Sequence, residues 1–266
     1  MFYQKQEFID AFINLVNECN KTILNIYNTD FEVDYKDDES PLTIADKSCN
    51  NLICFYLEKL NNKLVDKQNI NTDDIVIISE ENKNLEYKFR KNKTWCWLVD
   101  PVDGTKEFVK RNGQFTVNIG LVENGVPVFG IVSIPVSGEI YYGVKGIGSF
   151  KLHDNITTRL TVEEMKDFTK PKCRIVASAS HLNKETQDFI DKFEEPIIIS
   201  TGSSIKLLFI AEDKADVYPR IAPTSEWDTC AAHAVVKYAG GKVLDNITLK
   251  ELQYNKKDLL NPYFIV

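Results

Sequence analysis

The 266-residue sequence is poor in several features that would mark familiar classes of protein. Its longest stretch without a charged side chain runs from Asn124 to Gly138. That stretch contains two prolines and is shorter than the ~18 residues a membrane span requires. Glu7 and Asp10 interrupt the apolar N-terminal stretch, so no signal peptide is expected and a cytoplasmic location is the default. The six cysteines, at 19, 49, 54, 96, 173 and 230, form no C-x-x-C pair and read as small buried hydrophobes in a reducing compartment. Only three histidines occur, His153, His181 and His233, too scattered for a zinc site. Positive charge is also short: 32 Lys and Arg against 39 Asp and Glu give a net charge of −7. That balance argues against nucleic acid or an anionic membrane as partner. No nucleotide-binding P-loop, EF-hand or G-x-S-x-G elbow is present.

What is present suffices for a folded core, since 43% of residues are apolar and 27% charged. The spacing of Phe8, Phe12, Leu15 or Val16, Cys19 and Ile23 predicts an amphipathic helix over about Gln4–Tyr27. A polar break at Asp34–Pro41 precedes a second helix, about Thr43 to Leu60, with Leu52, Ile53, Tyr56, Leu57 and Leu60 on one face. Ile75–Ser79 and Thr94–Val99 read as buried strands, and turns at Asn124-Gly125 and Ser137-Gly138 divide Phe115–Val144 into a three-stranded meander. After about Thr157 strands and helices alternate: strand Arg174–Ser178, helix Lys184–Phe193, strand Pro196–Ser200, helix Ser203–Glu212, strand Asp216–Arg220, helix Ser225–Ala239 and strand Lys242–Leu244. This predicts an α/β (α+β) chain with helices layered on sheets. A boundary near residue 155 divides a helix-plus-meander half, 1–155, from an alternating half, 156–266.

The most informative run is Trp97-Leu98-Val99-Asp100-Pro101-Val102-Asp103-Gly104-Thr105-Lys106-Glu107-Phe108. A buried strand ends there in two carboxylates three residues apart, with a proline and a glycine shaping the turn. Carboxylates that converge repel unless a cation or a proton lies between them. The plain alternative is a turn with solvated acids. Ser79-Glu80-Glu81 also ends an apolar strand, Glu226-Trp227-Asp228 opens a helix, and Asp46 lies within a helical segment. Each alone fits a solvated acid, a partner of the helix dipole or a surface position. His233, among Ala and Val, reads as a core residue. The string D-P-V-D-G-T separates its acids by two residues. The haloacid-dehalogenase pattern D-x-D-G-T separates them by one, which excludes an aspartyl-phosphate mechanism.

Taken together, P-L-T-I-A-D (41–46), I-S-E-E (78–81) and W-L-V-D-P-V-D-G-T-K-E-F-V-K-R-N-G-Q-F-T-V-N-I-G-L-V (97–122) resemble the lithium-sensitive, magnesium-dependent phosphatase superfamily that includes inositol monophosphatase. T-G-S-S-I-K (201–206), Y-P-R (218–220), W-D-T-C-A-A-H-A-V (227–235) and L-N-P-Y-F (260–264) extend the likeness in order to the C-terminus. T-K-E-F after Gly104, with G-S-S-x-K and Y-P-R, is similar to the bacterial 3'(2'),5'-bisphosphate nucleotidases within it. The resemblance implies a layered αβαβα sandwich. It also implies hydrolysis of 3'-phosphoadenosine 5'-phosphate to AMP and phosphate, with an inositol- or sugar-phosphate phosphatase of the same fold as the alternative and a catalytically dead sensor as a further one. It makes Glu80, Asp100, Asp103 and Asp228, with the carbonyl of Val102, ligands to two or three Mg²⁺ ions, Glu81 standing behind them. Asp46 and Thr105 become the pair that orients and deprotonates the attacking water. Gly104 and Thr105 would present backbone N–H groups to the scissile phosphate, which Glu80, Val102, Asp103 and Asp228 also border. Ser203, Ser204 and Lys206 would face the nucleoside or second phosphate, with Lys106 or Arg220 adding positive charge. Glu226 stands where the family pattern leads one to expect an apolar or uncharged residue, an exchange expected to adjust the pocket. The implied partner is a small phosphorylated nucleotide, with no nucleic acid, no membrane span and no obligate protein partner.

Overall fold

The computed structural model describes residues 1–35, 41–68, 71–82, 85–162, 171–178 and 183–266. His181 and most of the polar break at Asp34–Pro41 lie outside them. Helix α1 (Gln6–Tyr27) is followed by a short antiparallel pair, β1 (Val33–Tyr35) and β2 (Pro41–Thr43), and by helix α2 (Ile44–Gln68). A seven-stranded sheet comes next: β3 (Ile75–Ser79), β4 (Trp95–Asp103), β5 (Thr116–Glu123), β6 (Val126–Ile134), β7 (Glu139–Val144), β8 (Gly148–His153) and β9 (Ile156–Leu160), side by side in chain order. The one-turn helices α3 (Tyr87–Arg90) and α4 (Thr105–Val109) flank β4. Beyond the sheet lie β10 (Arg174–Ser178), α5 (Lys184–Ile190), β11 (Ile197–Thr201), α6 (Ile205–Ala211), β12 (Pro219–Arg220), α7 (Glu226–Ala239), β13 (Leu244–Asp245) and β14 (Phe264–Ile265).

Burial explains the layers. The apolar stripe of α1, including Phe8, Phe12, Val16, Cys19 and Ile23, packs with Ile53 and Leu57 of α2 onto one face of the sheet. Phe12 lies 5.3 Å from Trp97 and 5.0 Å from Phe129, ring centre to ring centre. The opposite face buries Leu98, Val122, Val132 and Tyr141 against Leu207 and Leu208 of α6 and Cys230, Ala231 and Val235 of α7. A third, smaller core joins Ile175 and Ala177 of β10 to Ile190 of α5. Helix, sheet, helix, sheet and helix layers follow in that order, the expected αβαβα sandwich.

Close approach of α7 to the sheet depends on three glycines paired across neighbouring strands, Gly120, Gly130 and Gly143. A Cβ at Gly130 would lie 2.2 Å from the Ala231 carbonyl oxygen, and one at Gly143 2.4 Å from that of Ala234. The small residues Cys230, Ala231 and Ala234 of α7 are the ones these glycines face, which completes the fit. Several boundaries differ from expectation. Helix α2 runs two turns past Leu60. The strand expected to end at Val99 continues through Pro101 to Asp103, with a register shift between Asp100 and Asp103. Proline lacks the N–H a regular ladder would use there. Strands β8 and β9 extend the expected meander, whereas the strand expected over Asp216–Arg220 is reduced to Pro219–Arg220.

Candidate active site

The sheet, α7 and the 202–206 segment enclose a cleft of about 410 Å³. Glu80, Asp100, Asp103 and Asp228 line it, with Val102, Gly104 and Thr105 beside them. Each acid arrives on a different support. Glu80 begins the single 3-10 turn after β3. Asp100 sits in the ladder opposite Asn118 and is almost fully buried, its Oδ1 accepting the Val102 N–H at 3.1 Å. Beyond the bulge, Asp103 pairs with Thr116, and its Oδ2 accepts from the Ser203 hydroxyl at 2.6 Å and the Ser204 N–H at 2.5 Å. Asp228 is in the first turn of α7, where its Oδ2 takes the Ser225 N–H at 2.8 Å. It therefore caps the helix and lines the cleft at once.

Burial raises Asp100, Asp103 and Asp228, and charge crowding adds to it at Asp100 and Asp228. Burial, then the charges of Glu80, Asp103, Asp228 and Asp46, push the Asp100 carboxyl well above the ordinary carboxylate range. Burial and then Asp103 raise Asp228 to about 8. Asp103 is also raised by burial, while the Ser203 hydroxyl and Lys206 pull it the other way. So many acids around one cleft call for a cation, and an all-oxygen donor set suits a hard one such as Mg²⁺. Among the described residues no three His, Cys, Asp or Glu side chains close into a ready metal cage. Mg²⁺ keeps several waters and shares its shell with phosphate rather than filling an all-protein cage.

Asp46 is itself nearly inaccessible. Its Oδ2 accepts the Thr43 N–H at 2.8 Å and the Thr43 hydroxyl at 2.6 Å, leaving Oδ1 3.2 Å from the Thr105 hydroxyl. Burial raises its pKa to about 6 against the pull of Thr43. The Thr105 hydroxyl has a second acceptor in the Val102 carbonyl at 3.1 Å. Gly104 has φ +93°, and a Cβ there would meet the Gln114 carbonyl at 3.0 Å, so the turn into α4 requires glycine.

Lys106, Lys206 and Arg220 bring positive charge to the same cleft, which Tyr218 and Phe264 also line, and Lys206 and Arg220 lie near enough to Asp103 to favour its charged form. Lys206 is buried, donates to the Ser203 carbonyl at 2.7 Å, and is lowered to about 8 by its burial. Ser203 and Ser204 line the cleft, yet their hydroxyls are engaged: Ser203 with Asp103 and Thr116, Ser204 with Asn118 and Thr116. Ser203 adopts φ +56°, a left-handed backbone that aims the Ser204 N–H at Asp103. Thr116 and Asn118 escaped sequence reasoning as site residues because their contacts with Ser203 and Ser204 join segments far apart in the chain, whereas Thr43 was missed although it bonds Asp46 only three residues away. Glu226 points away from the cleft. It is completely buried and accepts the Asn255 and Lys256 N–H groups at 2.6 and 3.0 Å, and Arg90 anchors the same loop through the Lys256 and Lys257 carbonyls. It therefore holds the start of α7 rather than reshaping the pocket.

The sequence pattern of the Inositol monophosphatase family matches residues 4–262. The 3'(2'),5'-bisphosphate nucleotidase CysQ of Salmonella typhimurium is 36% identical over 261 residues, covering 97% of this chain and 98% of that protein. The crystal structure of CysQ from Bacteroides thetaiotaomicron, 40% identical, superposes with a TM-score of 0.75 over 94% of this chain and 92% of that one. The IMPase of Thermotoga maritima, 22% identical, shares the fold with a TM-score of 0.75 over 98% and 91% of the two chains. Sequence pattern, relatives and fold agree: the chain belongs to the inositol monophosphatase family.

Proposed function

We propose that this protein is an Mg²⁺-dependent 3'(2'),5'-bisphosphate nucleotidase that converts 3'-phosphoadenosine 5'-phosphate to AMP and phosphate. The observation that carries the reading is one cleft lined by four carboxylates together with Lys206 and Arg220, in a chain 36% identical to a named nucleotidase of that class. Such polarity suits a ligand with two phosphates, one to be cleaved and one to be held.

Glu80, Asp100, Asp103 and Asp228, with the Val102 carbonyl, would hold the Mg²⁺. Once bound, Mg²⁺ supplies the positive charge that neutralises these acids, polarises the phosphoryl group and acidifies water. The protein's own residues do the rest. Thr105 positions the attacking water, and Asp46, with a pKa near 6, accepts its proton at Oδ1 through the Thr105 hydroxyl. Gly104 and Thr105 offer N–H groups to the phosphate. The water oxygen bonds to phosphorus as the bond from phosphorus to the ribose 3'-oxygen breaks; that oxygen takes a proton from a solvent water, and Asp46 returns the proton it accepted to solvent. Ser203 and Ser204 shape the nucleoside side, where Lys206 and Arg220 draw the second phosphate. On this reading residues 1–155 carry most of the metal ligands and 156–266 supply Asp228 and the nucleotide contacts, in a cytoplasmic enzyme.

The test is phosphate release with Mg²⁺ from 3'-phosphoadenosine 5'-phosphate, inositol 1-phosphate and fructose 1,6-bisphosphate in parallel, with Asp100→Asn as control. Strong preference for the nucleotide, lost in the variant and suppressed by Li⁺, is expected. Preference for inositol or sugar phosphate would keep the metal chemistry and sink the substrate. Inactivity on all three, with Mg²⁺ still bound, would favour a sensor.

A further inference from the structure

We propose that Asn50 is a positioning residue that sets the distance between Asp46 and Glu80 and thereby tunes affinity for the divalent cation. The proposal rests on the roles given above to Glu80 and Asp46. Asn50 lies four residues after Asp46 on the same face of α2, and both are buried. Its Oδ1 accepts the hydroxyl of Ser79, the wholly buried last residue of β3, at 2.6 Å. The Ser79 Oγ in turn accepts the Glu81 N–H at 3.4 Å. One turn further along α2, the Cys54 thiol donates to the same Asn50 oxygen at 3.4 Å and accepts from the Asn82 amide at 3.9 Å. Three successive turns of one helix face thus meet, in order, the Thr43–Thr105 pair, the end of β3 and the far side of the turn that carries Glu80.

That turn needs a fastening. Among the described residues β3 is an edge strand, paired with β4 alone. Glu80 repels both Asp100 and Asp46, whose carboxyls its charge raises. The Asn50–Ser79 bond is a buried link from α2 to the residue immediately before Glu80. An amide supplies the acceptor without adding another negative charge beside the cluster, as a carboxylate at this position would.

A matched bond allows a clean comparison. Ser133 of β6 donates to Asn20 Oδ1 of α1 at 2.8 Å, also buried, and neither residue lines the cleft. Titration calorimetry of the full chain with MgCl₂, Mg²⁺ activation curves and thermal melts would be compared for wild type, Ser79→Ala, Asn50→Leu, their double variant and Ser133→Ala. Ser79→Ala and Asn50→Leu should each weaken Mg²⁺ binding roughly tenfold, the scale found for groups that orient metal ligands. Their activation constants for Mg²⁺ should rise in parallel, while kcat at saturating Mg²⁺ changes far less. The double variant should bind no worse than the poorer single one, because both changes break the same link. Ser133→Ala should lower the melting temperature comparably and leave Mg²⁺ affinity unchanged. Melting losses like that of Ser133→Ala with wild-type Mg²⁺ affinity would overturn the proposal. Should Asn50→Leu fail to fold, Ser79→Ala alone decides. Failure of the wild type to bind Mg²⁺ is a separate outcome, which removes the functional reading and this proposal with it.

Discussion

Asp46 and Asp100 are both buried carboxylates, but their surroundings assign them different work. Asp100 is surrounded by other acids and rises well above the usual range, whereas Asp46 is held by Thr43 and reaches outward only through Thr105. Asp100→Asn should therefore abolish measurable Mg²⁺ binding and turnover together. Asp46→Asn should keep Mg²⁺ binding within a small factor while kcat falls about 10²- to 10⁴-fold, the usual range for a lost general base. Calorimetry beside a phosphate-release assay separates the two, and equal losses of Mg²⁺ affinity would refute the division. His233 belongs to the same scale and supports the core reading of its sequence context. It is wholly buried, its Nδ1 lies 2.9 Å from the Tyr254 hydroxyl, and burial and then Lys237 lower its pKa to about 3. An unfolded histidine takes up a proton below about pH 6.5, and the folded one does so only near 3. Stability from this residue is thus present at pH 7 and declines as pH falls, by roughly 2 kcal/mol at pH 4.5. Urea unfolding at the two pH values should show that loss, and His233→Asn should shrink it. The acids that line the cleft were legible because each follows an apolar strand or opens a helix in a recognisable string. Thr116 and Asn118 were not, since their work is to hold Ser204 through buried bonds between residues 86 or more apart in sequence.

Among elements, α7 shows how packing delivers a functional side chain. Its small residues and the Gly120–Gly130–Gly143 row are two halves of one device, separated by about a hundred residues. Periodicity reveals the helix and the strands individually, yet no local pattern indicates that three glycines will pair side by side beneath it. Gly130→Ala would drive a methyl into the Ala231 carbonyl, a backbone atom that cannot swing aside. A loss of about 2–3 kcal/mol in unfolding free energy is expected, at the upper end for overpacking. Weaker Mg²⁺ binding should accompany it, because α7 carries Asp228. Denaturant unfolding and calorimetry on the same sample check both, and unchanged stability would mean that the helix is not seated by this row. Strand β4 shows the opposite limit of sequence reading. The apolar run Thr94–Val99 suggested a strand ending at Val99, but neighbouring β5 extends the ladder and the irregularity at Pro101-Val102 is absorbed as a bulge. Tertiary pairing overrode the local signal at the very place where Asp100 and Asp103 must both face the cleft.

For the molecule as a whole, the alternation of helices and strands was enough to anticipate layers, and the order of the motifs was enough to anticipate the family. The electrostatic balance required the folded chain. A net charge of −7 gives no attraction for a phosphorylated ligand, and the raised carboxyls show that folding gathers acids against their own repulsion. This makes the protein's stability depend jointly on pH and cation. Asp228 has a folded pKa of about 8, above its ordinary value near 3.8, so without metal the folded state retains a proton that the unfolded chain has released. Its contribution is complete below about pH 4 and is lost as pH rises through 8. With EDTA the protein should therefore melt at a lower temperature at pH 8.5 than at pH 6. Mg²⁺ must displace that proton at pH 6 but finds an ionised acid at 8.5, so its affinity should gain up to about tenfold per pH unit for each proton displaced. The rise in melting temperature between EDTA and saturating MgCl₂ should consequently widen from pH 6 to pH 8.5. An equal rise at both pH values would mean that the acids of the cleft are already ionised at pH 6 and that cation binding displaces no proton.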